Sequence, residues 1–296
     1  MTLRDLSVSL GYTLSGSGDV EITRMDYAES AQNRELAVAF SKRDVESAND
    51  ASAVLCRPCL AQTNKPLLMS YESIEVAVER VARCLIDSGV CIDYSALHDE
   101  NYYAGRGTYI AMGAVIESLV RIGENCTIGS NAVIKSGSVI GNGVKIGSGA
   151  VIGADSFFHY MEHGSLKSFS GLGIAVIEDD SEIGSNSVIQ RGLFKETRIG
   201  SGTFIGNLVD VGHDCVVGKN CKIVSQTGIA GHVKIGDGCM IFGQVGITGR
   251  VVIGNNVTVM GKSRVTKNIK DNEVVSGMYT REYYAELNTQ MKLRKL

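Results

Sequence analysis

The sequence predicts a mainly β protein whose body is a parallel β-helix, preceded by a small α/β domain and followed by a short helix. Three observations carry this. An aliphatic residue returns at every sixth position through most of the chain. Glycine is abundant, at 35 of 296 residues, while proline occurs only at Pro58 and Pro66 and tryptophan is absent. The first hundred residues lack the repeat and carry helix and strand patterns of their own.

The repeat begins with isoleucine at 110, 116, 122, 128, 134, 140, 146 and 152. It breaks over 153–176, returns at Ile177, Ile183 and Ile189, slips by four, and resumes at Ile199. It then holds for twelve positions, through Ile205, Val211, Val217, Ile223, Ile229 and onward to Val259 and Val265, for 23 hexads in all. Six is not a helical period, because 3.6 residues per turn would scatter these side chains around a cylinder. It suits short strands joined by turns, three to a triangular coil of 18 residues, with each aliphatic residue pointing into the prism. Coils stack at about 4.8 Å, and a single coil is too thin to be stable alone. The 23 hexads amount to seven to eight coils. The glycine that often follows the aliphatic residue is expected to supply a positive φ at the corner.

Residues 1–100 read as the α/β domain. Ser73–Ile86 places Ile74, Ala77, Val78, Val81 and Leu85 on one helical face, and Ala51–Leu55 reads as a short strand. Residues 87–108 form the connection, 101–270 the repeat with its loop at 153–176, and 271–296 a tail. There Thr280 is expected to cap a helix over 281–296, with Tyr284, Leu287 and Met291 on one side and Arg281, Lys292, Arg294 and Lys295 as a basic surface.

Twenty-nine basic residues against 32 acidic give a net charge of −3 with no basic tract, which disfavours nucleic acid as a partner. No stretch approaches 18 uninterrupted apolar residues, so an integral membrane protein is not expected. The eight cysteines show no disulfide-framework spacing, and a reduced, cytoplasmic protein is the simplest expectation. Cys56-Arg-Pro-Cys59 has the spacing of a redox or metal pair but no second pair and no supporting context, and is read as incidental. Cys126, Cys215, Cys221 and Cys239 fall in the ladder as small packing residues.

A solenoid is a scaffold, so chemistry is expected where its pattern breaks. Val211, Ile229 and Ile247 differ by 18 and share one side of three successive coils. His213 is the third residue of the first hexad and Gly231 its counterpart one coil on; His232 and Arg250 are the fourth residues of the next two. One prism edge thus carries imidazole, bare backbone, imidazole and guanidinium within about 10 Å of rise. A neutral histidine can take the proton of an attacking amine, and a glycine N–H can meet a tetrahedral oxyanion, which suits acyl transfer. The plain alternative is two surface histidines in adjacent turns, with Arg250 either serving a phosphate or carboxylate or standing as a solvated corner. The excursion 153–176, with Asp155, Phe157, Phe158, His159, Tyr160 and His163, is a substrate-covering loop or an oligomer contact, the first being favoured. No metal is expected: a metal-dependent trimer of the carbonic-anhydrase type needs three converging histidines, and the ladder offers two.

The segments Gly206-Asn-Leu-Val-Asp-Val-Gly-His-Asp214, Ser225-Gln-Thr-Gly-Ile-Ala-Gly231, Gly243-Gln-Val-Gly-Ile-Thr-Gly249 and Val259-Met-Gly-Lys-Ser-Arg-Val-Thr-Lys267 resemble the UDP-3-O-(3-hydroxyacyl)glucosamine N-acyltransferases of lipid A synthesis, within the hexapeptide-repeat acyltransferases. Gly18-Asp-Val-Glu-Ile-Thr23, Val38-Ala-Phe40 and Ala51-Ser-Ala-Val54 extend the resemblance to the N-terminal domain and so across nearly the whole chain. It implies a left-handed β-helix, a homotrimer with sites between neighbouring prisms, an N-terminal domain that holds uridine, and an acyl carrier protein as thioester donor. It implies no tightly bound cofactor. The family's base falls on His213 and its oxyanion glycine on Gly231; the uracil-contacting aromatic falls on Phe40, and the sugar-side motif on Asp155 and Asn207.

The chain departs from the family at several points. Glu46 stands where a second aromatic is common, Gln190 where aspartate is usual, Asp210 where glutamine is frequent, and Arg250 where a second histidine is usual, while His232 appears one coil earlier. The loop reads Ser156-Phe-Phe-His-Tyr160 where Gly-Phe-Gly is typical. Two enzymatic readings follow. One is the 3-hydroxyacyl transferase using carrier protein and a UDP-linked 3-O-acylglucosamine. The other uses acetyl- or another short acyl-CoA on a different nucleotide-linked amino sugar. A non-catalytic scaffold is the reading from another class.

Overall fold

The structure, a computed structural model, describes residues 1–61, 63–90, 102–169, 171–277 and 281–294. Cys91, Thr280, Lys295 and the middle of the expected connection over 87–108 lie outside them. The chain divides into two compact units, Met1–Asp93 with Phe158–Leu172, and Tyr94–Phe157 with Gly173–Leu296.

Among the described residues the first unit is a five-stranded sheet with three α-helices and a short 3-10 turn at Pro58–Leu60. Helix α1 (Leu3–Leu10) starts at a capping box between Thr2 and Asp5 and ends at Gly11, whose φ of 67° suits the left-handed cap. Strands β1 (Thr13–Ser15), β2 (Arg24–Tyr27) and β3 (Glu35–Val38) follow, then α2 (Lys42–Ser47), opened by a second capping box from Ser41 and Asp44. Strands β4 (Ala53–Cys56) and β5 (Leu67–Met69) and helix α3 (Ile74–Asp87) complete it. The sheet order is β1-β5-β4-β3-β2, parallel except for β1. Helix α3 buries Ile74, Ala77, Val78, Val81 and Leu85, the predicted face, behind the N-cap of Ser73. The strand expected over Ala51–Leu55 runs two residues later at its start.

The 153–176 excursion does not stay with the repeat. Its antiparallel hairpin, His159–Glu162 with Ser165–Ser168, belongs to the first unit and packs on α3. Arg80 of α3 lies 3.0 Å from Glu72 and 3.8 Å from Glu162, and Tyr12 donates to Glu72 at 2.9 Å, so hairpin, helix and sheet edge share one polar cluster.

The second unit is a parallel β-solenoid with three faces. In chain order, face one (from Tyr103–Ala104) and face three (from Val115–Ile116) hold eight strands each and face two (from Tyr109–Ile110) ten. The aliphatic residues are register partners from coil to coil: Ile128 with Ile146, Ile134 with Ile152, Ile229 with Ile247. They fill one continuous core, almost all of it under 5% exposed. The cysteines fill a second inward position and their thiols meet turn carbonyls of the next coil, Cys215 to Ala230 at 3.1 Å and Cys221 to Gly236 at 3.1 Å.

The glycine after the aliphatic residue has a different cause from the one expected. A Cβ at Gly123 would come 2.6 Å from the Gly141 carbonyl carbon of the next coil, so that position is glycine for close approach. The positive φ falls two residues later, at Gly143, Asn125, Asn220 or Asn256, where asparagine substitutes for glycine at little cost.

The final helix, α4 (Tyr283–Leu293), is shorter than the 281–296 expected. Arg281–Glu282 instead forms a strand antiparallel to Val274–Ser276, and the Glu282 side chain caps the helix by accepting from the Tyr284 and Ala285 N–H groups. None of its residues is buried, including Tyr284, Leu287 and Met291.

Candidate active site

Both irregularities of the repeat sit on the edge between the third and first faces. Ile152 and Ile189 are register partners although 37 residues apart, as are Ile140 and Ile177. The excursion therefore leaves after a face-three strand and returns on a face-one strand. Ile177 and Ile199 pair across 22 residues rather than 18, which places the four extra residues, within Gln190–Lys195, at the same edge one coil on. The coil after that carries His213.

His213 Nδ1 lies 2.7 Å from Asp214 Oδ2. The Asp214 carboxylate also accepts from Leu193 N–H, at 3.1 and 3.2 Å to its two oxygens, and the Asp214 N–H donates to the buried Thr197 hydroxyl at 2.8 Å. The four-residue slip thus holds the carboxylate, and the carboxylate holds the imidazole. A carboxylate only accepts, so in the neutral imidazole the proton sits on Nδ1 and Nε2 carries the lone pair. The ring lies over Gly231: a Cβ there would come 2.7 Å from His213 Nε2 and 2.8 Å from Cε1. Any larger residue at 231 would displace the imidazole. The Gly231 N–H meets no backbone carbonyl among the described residues.

His232 packs edge-on against His213, with ring centroids 5.1 Å apart and planes at 83°. Burial pushes its pKa down to about 4; His213, Arg250 and Lys234 push the same way and Asp214 opposes them. It is therefore neutral at pH 7, with Nε2 4.0 Å from Asp214 Oδ2. Its N–H donates to the His213 carbonyl at 2.9 Å, and Arg250 N–H to the Gly231 carbonyl at 3.1 Å, so the ladder stacks these residues as the 18-residue spacing requires. Arg250 itself is exposed. His213, Asp214 and His232 place ligand-type atoms within 4.8 Å of one another, a set that could hold a metal ion. Counting histidines alone left Asp214 out of the expected tally.

The other expected residues are spread more widely. Asp155 is 56% exposed beside the fully buried Arg191, at 3.9 Å from its Nε, and Phe157 is exposed at the mouth of the excursion. Asn207 accepts from Ser185 N–H at 2.8 Å on the edge between faces two and three, beside a cavity of about 550 Å³ lined by Phe204, Lys222 and Ser225. That edge is six residues of chain from His213, on the order of 15–20 Å. Phe40 belongs to the other unit, at the end of β3, with its N–H bonded to Asp44 at 2.9 Å. Asp214, Thr197 and the Gln190–Asp210 pair were not singled out as partners. Asp214 had a signal, because it directly follows His213.

The family described as bacterial transferase hexapeptide (six repeats) matches residues 119–154 and 196–231. UDP-3-O-acylglucosamine N-acyltransferase 1 of Gloeobacter violaceus is 54% identical over 125 residues, 42% of this chain and 36% of the relative. The protein of the same activity from Methylacidiphilum infernorum is 52% identical over 128 residues, 43% and 36% of the two chains, and that of Geobacter sp. strain M21 is 45% identical over 82 residues, 28% and 24%. The aligned stretches thus span about a quarter to a third of those relatives, and under half of this chain rather than nearly all of it. Among solved structures, a UDP-N-acetylglucosamine acyltransferase from Campylobacter jejuni is 25% identical with a TM-score of 0.55, covering 61% of this chain and 69% of its own. No helix among the described residues is long and apolar enough to cross a membrane.

Proposed function

We propose that this chain is an N-acyltransferase of lipid A biosynthesis. It moves a 3-hydroxyacyl group from acyl carrier protein to the amine of a UDP-linked 3-O-acylglucosamine. The observation that carries the reading is the Asp214–His213 pair with Nε2 presented over the bare backbone of Gly231. The stretches shared with proteins named for that activity support the choice of substrate class.

The acceptor amine attacks the thioester carbonyl carbon while His213 Nε2 takes its proton. Asp214 holds the ring in the required tautomer and faces the imidazolium that forms. The carbonyl oxygen becomes an oxyanion, which the Gly231 N–H meets. Collapse breaks the carbon–sulfur bond, and the imidazolium returns its proton to the departing thiolate. His232, neutral at pH 7, braces the ring without adding a charge. Phe40 would hold the uracil, and Asp155, Phe157, Asn207 and Arg250 the sugar and phosphates. Because Asn207 and His213 lie on different prism edges, a site shared by neighbouring copies of a cytoplasmic homotrimer accommodates both. No bound cofactor enters the reaction.

The test offers UDP-3-O-acylglucosamine to the protein with either 3-hydroxyacyl carrier protein or acetyl-CoA, and weighs the product. Transfer from carrier protein alone is expected, with a trimer by sedimentation. Transfer from CoA alone would replace the donor assignment, and transfer from neither would overturn the reading.

A further inference from the structure

We propose that Asp210 is the group that receives the acceptor's ammonium, and so the residue by which this site selects a free amino sugar over its N-acylated counterpart. The inference rests on the N-acyltransferase reading and deepens it.

Along the third face, the residue before each buried aliphatic points outward. These residues are register partners in the order Val188, Asp210, Gly228, Gly246, Arg264. A Cβ built on Gly228 or Gly246 meets nothing within 4 Å, in contrast to the corner glycines that press on the next coil. Coil packing therefore does not demand glycine at either position. A strand glycine weakens its strand, and one with open space above it marks close approach of something else to the backbone. The two glycines leave a side-chain-free strip about 10 Å tall directly below a carboxylate.

That carboxylate is held in place by neutral groups. The Gln190 amide donates to it, with Nε2 at 3.3 and 3.5 Å from its two oxygens, while Gln190 Oε1 accepts the Phe157 N–H at 3.1 Å. The amide cannot turn over, because one neighbour only accepts and the other only donates. Among the described residues, no lysine or arginine forms an ion pair with Asp210. Desolvation raises its carboxyl pKa, and the Gln190 hydrogen bond opposes this. A cation arriving at the strip would find an anion with no competing partner. Asp210 stands three residues before His213 along the chain, so their Cα atoms are within about 10 Å, the reach of one hexose between two side chains. An amino sugar lying on the strip would place its ammonium at Asp210 and within range of the base; the ammonium gives one proton to water and attacks as the free amine, whose second proton goes to His213.

The pairing also joins two departures noted in the sequence. Gln190 and Asp210 exchange the carboxylate and amide, and the structure shows them bonded to each other. The pair survives the exchange while the negative charge moves one coil toward His213.

The test uses the full chain and three proteins: wild type, Asp210→Asn, and the double exchange Gln190→Asp with Asp210→Gln. Asparagine keeps the shape and still accepts from Gln190. Calorimetry with UDP-glucosamine and UDP-N-acetylglucosamine is expected to show wild type preferring the free amine by about tenfold or more, the scale of a charge-assisted hydrogen bond. Asp210→Asn should lose that preference with unchanged affinity for the N-acetylated ligand, and its acceptor KM should rise by a similar factor with kcat little altered. The double exchange should also lose it. If its preference matches wild type, the pair is structural and the proposal fails; equal preference in wild type and Asp210→Asn overturns it as well. Wild-type transfer to UDP-3-O-acylglucosamine is followed in parallel. Loss of transfer with the amine preference intact would overturn the N-acyl reading and leave Asp210 in its role.

Discussion

Two edges of the solenoid make the same turn with different residues. Between faces one and two, the left-handed position is occupied in successive coils by Gly202, Asn220, Gly238 and Asn256, at φ from 54° to 67°. Between faces three and one, the same position holds Asp214, His232 and Arg250, at 58°, 64° and 65°. Glycine, asparagine and to a lesser degree aspartate tolerate this conformation, whereas other L-residues carry a cost of roughly 1 kcal/mol each. The first edge is built from residues that suit the fold. The second keeps His232 and Arg250, which the fold would not choose, and the edge between faces two and three, where Asn207 lies, does the same with Leu208, Gln226, Gln244 and Lys262 at φ from 57° to 64°; residues held in uncomfortable conformations concentrate at functional sites.

The largest test of that contrast is His213→Ala. Turnover should fall by about 10²–10⁴-fold, the usual contribution of a positioned base, with the coils intact by circular dichroism. Asn220→Ala on the quiet edge should leave turnover alone. An unfolded His213→Ala would make the residue structural.

Glycine substitutions should separate the edges in kind. At Gly231 an added methyl meets the His213 ring, so Gly231→Ala should cut activity at least about 100-fold while thermal stability holds, since an imidazole can swing away. At Gly218 the methyl meets the Gly236 carbonyl carbon at 2.6 Å, which cannot move without parting the coils. Gly218→Ala should lose on the order of 1–3 kcal/mol in denaturant melts. The opposite pattern would break the comparison.

Acid should sharpen it further. Because the folded-state pKa of His232 is depressed to about 4 from 6.5, the unfolded chain takes the proton first as pH falls. The stability carried by neutral His232 is complete above about pH 6.5 and is lost as pH drops toward 4, by at most on the order of 3 kcal/mol. Melting temperatures at pH 7 and 4.5 should therefore differ more in wild type than in His232→Asn. The smallest effect is Arg250→Asn, which should raise stability by a few tenths to about 1 kcal/mol by relieving the left-handed strain. No change in the melting temperature would mean that arginine is at ease there.

The aliphatic ladder and the stacking of His213 on Gly231 were legible because both depend on a fixed spacing of 18. Asp214 with Leu193, and Gln190 with Asp210, were not, since they pair across 21 and 20 residues after the slip has spoiled the arithmetic. The hairpin at 159–168 was equally hidden. Its partner is α3, in the same unit but far back in the chain, and no local pattern names so remote a contact. The glycine after each aliphatic was seen but given the wrong cause. Sequence shows that a position excludes side chains, and only the neighbouring coil shows whether torsion or crowding excludes them.

The strand Arg281–Glu282 runs against the direction of every other strand on its face. A parallel stack presents at its end the same hydrogen-bonding rim it offers in its middle, so a further strand from another molecule could continue it. Here the outermost strand is two residues long, charged at both positions, reversed in direction and followed at once by a helix. Short, charged edge strands are poor templates for end-to-end growth. On this face the reversal therefore leaves the end of the stack a poor template for a further strand.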